Sequence, residues 1–337
     1  MRLPPPPNPK TILAEYGFYL YISLWQTNVL QTLERQIIMP EILFKSMDRR
    51  TFIRTSLAAA GTLVALGGVN CFNSATNQKQ VARLALLADT HIPADAENNY
   101  RGFYPYRNLQ EIIPDIVSAS PDGVVIAGDL ARLTGESGDY ANFKKLLSPL
   151  TEKAPVFMAL GNHDNRENFL KTFETTAGQK QAIKGKHVIV VQKAPVRLIL
   201  LDSLLFTDKV PGLLGKEQRQ WLKNYLKECD NTPTILCFHH TLEDSDDALL
   251  DVLRLFDLIK SIRKIKAIVY GHSHEYTFSQ YEGIHLINLP AVGYNFSDTE
   301  PVGWVEARLT ANGGDFTLHV AGGNRDADGR VTRLTWR

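Results

Sequence analysis

An α/β fold is predicted by the sequence on three grounds. Short apolar runs alternate with segments of helical periodicity along most of the chain from Val81 onward. Several of those runs end in clustered polar residues, the arrangement by which open α/β sheets deliver side chains to a site at the carboxyl ends of their strands. With 337 residues, 44% of them hydrophobic, the chain suffices for one large core plus appendages.

Charge and cysteine content narrow the function classes. There are 37 basic and 36 acidic residues, a formal charge of +1. That balance gives no nucleic-acid-binding patch and no case for anionic lipid as the main partner. Cys71, Cys229 and Cys237 form no CxxC pair, which excludes a disulfide framework and a thiolate zinc site as organising features. The nearest approach to a membrane span, Tyr16 to Leu33, is charge-free but broken by polar residues, so no ordinary span is expected.

Residues 1–46 carry a polyproline run, Pro4 to Pro7, and an interrupted apolar stretch; they are left as an unassigned N-terminal extension. Residues 47–80 read as an export signal and linker. Arg49-Arg50-Thr51-Phe52-Ile53-Arg54 precedes the uncharged run Thr55 to Val69, then a polar stretch. This core resembles the twin-arginine signal, with Asp48 where Ser or Thr is usual. The alternative is an amphipathic helix with a basic start. On the export reading Met47 is the true start, the partner is the twin-arginine machinery, and the protein is periplasmic or otherwise extracytoplasmic, tethered if the signal stays uncleaved; otherwise it is cytoplasmic. Cys71 closes the apolar run, but Gly68-Val69-Asn70 fits a lipidation box poorly.

The folded domain is expected over residues 81–337. Val81 to Ala88 reads as the first buried strand, ending in Asp89-Thr90-His91. A polar loop to Arg107 and a helical segment to Ser118 lead to Gly123 to Ala127, which ends in Gly128-Asp129. A helical pattern from Asp139 to Leu150 precedes Val156 to Leu160, which ends in Gly161-Asn162-His163-Asp164. A helix then covers Glu167 to Phe173. That rhythm is the βαβ pattern of a parallel sheet. His187 to Val191 and Val196 to Leu201 continue the sheet, the latter ending in Asp202-Ser203, where Asp202 reads as structural. Gly215 to Cys229 is an amphipathic helix burying Trp221, Leu222, Tyr225 and Leu226. Thr234 to Phe238 leads into His239-His240, Asp246 to Lys260 is helical, and Ile265 to Tyr270 leads into Gly271-His272-Ser273-His274. Gly283 to Leu289, Gly303 to Leu309, Phe316 to Val320 and Val331 to Trp336 are expected as flanking antiparallel strands.

Five strand ends thus carry Asp89/His91, Asp129, Asn162/His163, His239/His240 and His272/His274, and six of the nine histidines sit there. A buried histidine is ordinarily a hydrogen-bonded core residue, but that explanation must be invoked afresh at each end. The GNHD tetrapeptide alone also fits a turn with a helix cap at Asn162 or Asp164.

The order D-x-H, G-D, G-N-H-D, H, G-H-x-H resembles the calcineurin-like metallophosphoesterases across residues 83–310, and the local texture is most similar to their bacterial cyclic-nucleotide phosphodiesterase branch. The resemblance implies a four-layer α/β/β/α sandwich with mixed sheets and a dimetal site at strand C-terminal ends. It implies that Asp89, His91 and His274 hold one metal, Asn162, His239 and His272 the other, and that Asp129 bridges them. A shared carboxylate offsets the repulsion of two cations about 3.5–4 Å apart. A bridging water would lose its proton near neutral pH and serve as the nucleophile, as hydroxide. His163 would contact phosphoryl oxygens or protonate the leaving alkoxide, with Asp164 orienting it. His240 would sit behind the metal ligands; Arg132 either reaches a phosphate oxygen or is a solvated loop residue. Mn, Fe and Zn all suit this nitrogen and oxygen set.

Two departures from relatives stand out. Purple acid phosphatases place a metal-binding tyrosine where this chain has Arg132, and Thr241-Leu242 follow the paired histidines where close relatives often have prolines. The expected function is dimetal-dependent hydrolysis of a small phosphate ester, a diester over a monoester. The alternative is a non-catalytic metal-binding scaffold module on the same fold.

Overall fold

The computed structural model describes residues 81–174 and 177–337. The expected export signal, its linker and the extension before it lie outside the described residues. The elements in chain order are β1 (Ala82–Leu87), α1 (Pro105–Ala119), β2 (Gly123–Ala127), α2 (Ser137–Thr151), β3 (Val156–Ala159), α3 (Arg166–Thr172), β4 (Gln179–Lys180), β5 (Ile189–Lys193) and β6 (Val196–Leu200). They continue with α4 (Lys216–Glu228), β7 (Thr234–Cys237), α5 (Val252–Ile259), β8 (Ile265–Tyr270), β9 (Thr277–Tyr281), β10 (Ile284–Asn288), β11 (Pro301–Leu309), β12 (Gly313–Gly323) and β13 (Val331–Thr335).

The strands form two mixed sheets, ordered β13-β12-β11-β1-β2-β3 and β4-β5-β6-β7-β8-β10-β9. Their inner faces pack on each other: Leu84, Leu86, Val125 and Phe157 of the first meet Val191, Leu198, Ile235 and Val269 of the second. Alternate residues of the same strands face outward. Ala85, Leu87, Val124 and Ile126 pack under α1 and α2, while Ile199, Leu236 and Ile268 pack under α4 and α5. The result is the expected four-layer α/β/β/α sandwich. Each large apolar side chain so covered contributes roughly 1.5–3 kcal/mol.

The single continuous sheet read from the apolar runs is corrected to two. Strands covered on both faces read as unbroken apolar runs, so the pattern cannot say which sheet a strand joins. Three other expectations change. Residues 246–251 hold turns, a bend and an isolated bridge of Leu249 to Gly212, and the helix starts only at Val252; the acidic run Asp244, Asp246, Asp247 stays exposed instead of joining the amphipathic face. The strand at Ile284–Asn288 runs parallel to β8, its antiparallel partner being β9, an exposed strand without an apolar face to announce it. The helix after GNHD is capped by Asn165, whose side chain accepts from the Asn168 amide, and not by Asn162 or Asp164.

β1, β2 and β3 run parallel, as do β6, β7, β8 and β10. The loops leaving their C-terminal ends are tied together. His91 N donates to the Asp129 carbonyl at 2.9 Å, Gly271 N to the His239 carbonyl at 2.9 Å, and Val292 N to the Ala88 carbonyl at 3.0 Å. Among the described residues no helix is long and apolar enough to cross a membrane.

Candidate metal centre

Asp89, His91, Asp129, His272 and His274 all hold the left-handed backbone conformation, with φ of 52°, 47°, 51°, 78° and 58°. Side chains with a Cβ avoid this region unless the surroundings impose it. Each of these residues lies two to four positions beyond the C-terminal end of β1, β2 or β8, where the chain turns sharply. Two glycines permit the crowding. A Cβ on Gly161 would lie 2.2 Å from Asp129 Oδ1, and one on Gly271 2.3 Å from Asp89 Oδ2.

The expected metal ligands converge. His274 Nε2 is 3.4 Å from Asp89 Oδ1 and 3.1 Å from His91 Nε2. His239 Nε2 is 3.1 Å from both the Asn162 amide oxygen and His272 Nδ1. Asp129 Oδ2 lies between the two groups, 3.3 Å from His239 Nε2 and 3.8 Å from His91 Nε2. Its other oxygen accepts the His163 amide at 2.8 Å. Asp89, His239, His91, His274, Asp129 and Asn162 are buried, and His272 is partly so.

Ring tautomers show what the cluster is built to hold. His239 Nδ1 lies 2.9 Å from the Ala127 carbonyl, His274 Nδ1 2.6 Å from the Tyr294 carbonyl, and His272 Nε2 3.0 Å from the Asp247 carbonyl. A carbonyl only accepts, so in each ring that nitrogen carries the proton. The opposite nitrogens then present lone pairs inward, and His239 Nε2 faces His272 Nδ1 across 3.1 Å. Two lone pairs at that distance make no hydrogen bond, whereas a cation between them satisfies both. Charge points the same way. Burial opposes ionisation of Asp129, yet the surrounding imidazoles, His239 foremost, hold its carboxyl well below the usual range. Burial works against a charged His239, yet with no metal bound Asp129 and Asp89 outweigh it and raise His239 to about 9, so a proton on Nε2 takes the cation's place there. Burial and the charge of His239 push His272 down to about 4. A buried site with two carboxylates, an amide oxygen and inward imidazole nitrogens suits a pair of divalent ions.

His163 borders the cluster, its Nε2 3.9 Å from Asp129 Oδ2 and its side chain 21% exposed. The expectation that Asp164 orients it needs correction. The His163 Nδ1 partner is the Leu133 carbonyl at 2.8 Å. Asp164 turns the other way and accepts from the backbone amides of Leu130, Ala131 and Gly161 and from the Tyr140 hydroxyl. Burial and the charge of Asp129 raise its pKa to about 7. It knits the GD loop to the GNHD loop.

His240 stands behind the ligands. Its ring centroid is 4.9 Å from that of His239 and 4.8 Å from that of His272, and its Nδ1 shares a hydrogen bond with Ser203 Oγ at 2.7 Å. Arg132 stays at the rim, bonded to Asn98 Oδ1 at 3.2 Å. Asp202 pairs with Arg166 and accepts the His187 amide, a structural part as expected. The sequence reading missed Ser203 and Tyr294. Ser203 was visible at the polar end of an apolar run. Tyr294, stacked on His91 at 4.7 Å, follows β10, whose parallel direction the apolar pattern did not disclose.

A family model described as Calcineurin-like phosphoesterase matches residues 82–276. The chain is similar to the 3',5'-cyclic adenosine monophosphate phosphodiesterase CpdA of Haemophilus influenzae, 27% identical over 253 residues that cover 70% of this chain and 88% of that protein. It is similar to the glycerophosphodiester phosphodiesterase GpdQ of Enterobacter lignolyticus, 26% identical over 65% of this chain and 81% of that protein. Its fold is similar to that of a dimetal phosphatase from Danio rerio, with a TM-score of 0.61 at 14% identity, covering 77% of this chain and 100% of that one.

Proposed function

The chain belongs to the calcineurin-like phosphoesterase family, and from that premise we propose that this metal-dependent phosphoesterase hydrolyses phosphodiesters in preference to monoesters. In this reading Asp89, His91 and His274 hold one divalent ion, Asn162, His239 and His272 the other, and Asp129 is shared. The observation that carries it is the convergence of inward imidazole nitrogens on two buried carboxylates. The phosphodiesterase names of the relatives from Haemophilus influenzae and Enterobacter lignolyticus support the diester preference.

Bound metals supply the Lewis acidity that activates water and neutralises phosphate charge. The protein's own groups do the rest. The Leu133 carbonyl accepts the His163 Nδ1–H, so Nε2 is the atom that, in the doubly protonated ring, would give its proton to the leaving alkoxide. Asn162 gives a neutral donor and so keeps the site cationic for an anionic substrate. The amide of His163 holds Asp129 in place.

The test is hydrolysis of bis(p-nitrophenyl) phosphate and p-nitrophenyl phosphate by protein reconstituted with Mn²⁺, Fe or Zn²⁺. The expected result is turnover of both with the diester faster. No turnover with any metal overturns the hydrolase reading, and a faster monoester overturns the preference. On sequence alone we further propose that residues 47–80 direct twin-arginine export, leaving 81–337 as the catalytic domain. Retention of the full-length protein in the cytoplasm of a twin-arginine-competent bacterium would reject that.

A further inference from the structure

The first metal group is walled by a continuous aromatic assembly that no part of the hydrolytic reading uses. Tyr294 stacks on His91 with centroids 4.7 Å apart, and Phe296 stacks on His274 at 4.3 Å and 26°. Tyr100 meets Tyr294 edge to face at 4.8 Å. Tyr294 is buried and its role as a dry wall is complete. The two outer rings are different, for Phe296 is 50% exposed and Tyr100 40%. A large apolar ring left half in water costs free energy unless something covers it. Arg132 spans the gap, its guanidinium 4.8 Å from the Tyr100 centroid and 5.6 Å from that of Tyr294. Planar rings beside a guanidinium form the surface on which nucleobases stack, because every base has a π-face and a polar edge.

We infer that Phe296 and Tyr100 form a stacking shelf that selects phosphodiesters whose alcohol half carries a planar base, over esters of small ringless alcohols. This inference rests on the hydrolytic reading and narrows its substrate class. The shelf borders the first metal group, with Phe296 stacked directly on His274 and Tyr100 reaching His91 through Tyr294, so an alcohol half extending that way from a phosphate at the metals meets it. A glycerol-type alcohol presents no face to either ring. The relatives named above act on esters of both kinds by name, so the choice falls to residues outside the ligand set.

The experiment compares wild type with Phe296→Ala, Phe296→Tyr and Tyr100→Ala, each metal-loaded. kcat/KM is measured for 3',5'-cyclic AMP and for glycerophosphoethanolamine, and binding of 1,N6-ethenoadenosine monophosphate and of glycerol 3-phosphate by anisotropy and competition. The expected result is a ratio of base-bearing to ringless activity that falls roughly 5- to 100-fold in either alanine variant, the worth of one stacked base. The Phe296→Tyr variant keeps the wild-type ratio. The ethenoadenosine nucleotide should lose affinity by a similar factor, with glycerol phosphate losing less. An unchanged ratio together with unchanged relative affinity overturns the shelf. If wild type turns over neither ester, the hydrolytic reading fails on its own and the binding comparison still decides the shelf.

Discussion

The Nε2 atoms of His91 and His274, 183 positions apart in the chain, lie 3.1 Å from each other inside a buried cluster. Because the Tyr294 carbonyl takes the proton of His274 Nδ1, His274 Nε2 presents its lone pair to that cluster, as a metal ligand must. Metal loading therefore stabilises the fold, by about 2.7 kcal/mol at a metal concentration one hundred times Kd. Asp129→Asn removes the shared charge, so the variant should bind fewer than two equivalents by elemental analysis and lose most of that stabilisation in thermal unfolding. Two retained equivalents would show that Asp129 is not shared.

In the proposed reading His163 moves a proton, although its ring also lies close enough to His91 and Asp129 to share an ion with them. His163→Asn should keep two equivalents of metal while kcat falls about 10²- to 10⁴-fold on an alkyl phosphodiester. With a p-nitrophenolate leaving group, which departs without protonation, the loss should be much smaller. Equal losses on both substrates would assign His163 to binding and not to proton transfer.

Asp164 lies next to His163 in sequence but serves the backbone. Three amides and the Tyr140 hydroxyl converge on its carboxyl, and hydrogen bonds to a charged group are worth about 1.5–3 kcal/mol each. Asp164→Asn turns an amide N–H toward donors and should cost about 3 kcal/mol in urea unfolding. Tyr140→Phe removes one donor and leaves the Asn165 amide without its 2.8 Å acceptor, a smaller loss of about 1–2 kcal/mol. Neither variant should show the leaving-group dependence of His163→Asn. If Asp164→Asn does, it acts through the imidazole after all.

What the sequence disclosed and what it withheld divide along physical lines. Gly123–Ala127 and Ile265–Tyr270 match the expected strands residue for residue, because a run buried on both faces needs no partner to be recognised. The cluster members were visible because each stands within a few residues of the end of such a run. Carbonyl partners such as Leu133, Asp247 and Tyr294 were not, since any residue carries a carbonyl and only the fold decides which one faces a ring. Asp164 was misassigned for the same reason: its partners are backbone amides, which leave no mark in side-chain patterns. β9 escaped because an exposed edge strand lacks apolar alternation.

Lys186 gives the fold a pH signature outside the metal cluster. Its ammonium donates to the carbonyls of Asp202, Leu204 and Leu213, but burial outweighs the pull of Asp202 and lowers its pKa from 10.5 to about 8. Between pH 8 and 10.5 the unfolded chain keeps a proton that the folded protein has released. Stability owed to this group therefore rises as pH increases through that window. Comparing wild type with Lys186→Met in urea at pH 8 and pH 10 cancels the other titrating groups. The difference should shift in favour of wild type at pH 10, and a shift toward the methionine variant would mean the lysine stays charged.

Arg337 clamps three elements with one side chain. Its guanidinium donates to the carbonyls of Lys260 and Ile262 beyond α5, of Ile265 at the start of β8, and of Glu282 in the β9–β10 turn, at 2.7 to 3.1 Å. Its own carbonyl accepts from Lys266 Nζ at 2.7 Å. The carbonyls at the end of a helix have no partner within it, and a cation there also meets the favourable end of the helix dipole. Arg337→Ala should therefore cost about 3 kcal/mol, lowering Tm by about 6–12 °C for a domain of this size. Arg337→Lys should recover little, because a compact ammonium cannot reach the four directions that the planar fork spans. Full recovery by lysine would mean that charge beside the helix end, and not the fork geometry, holds these elements together.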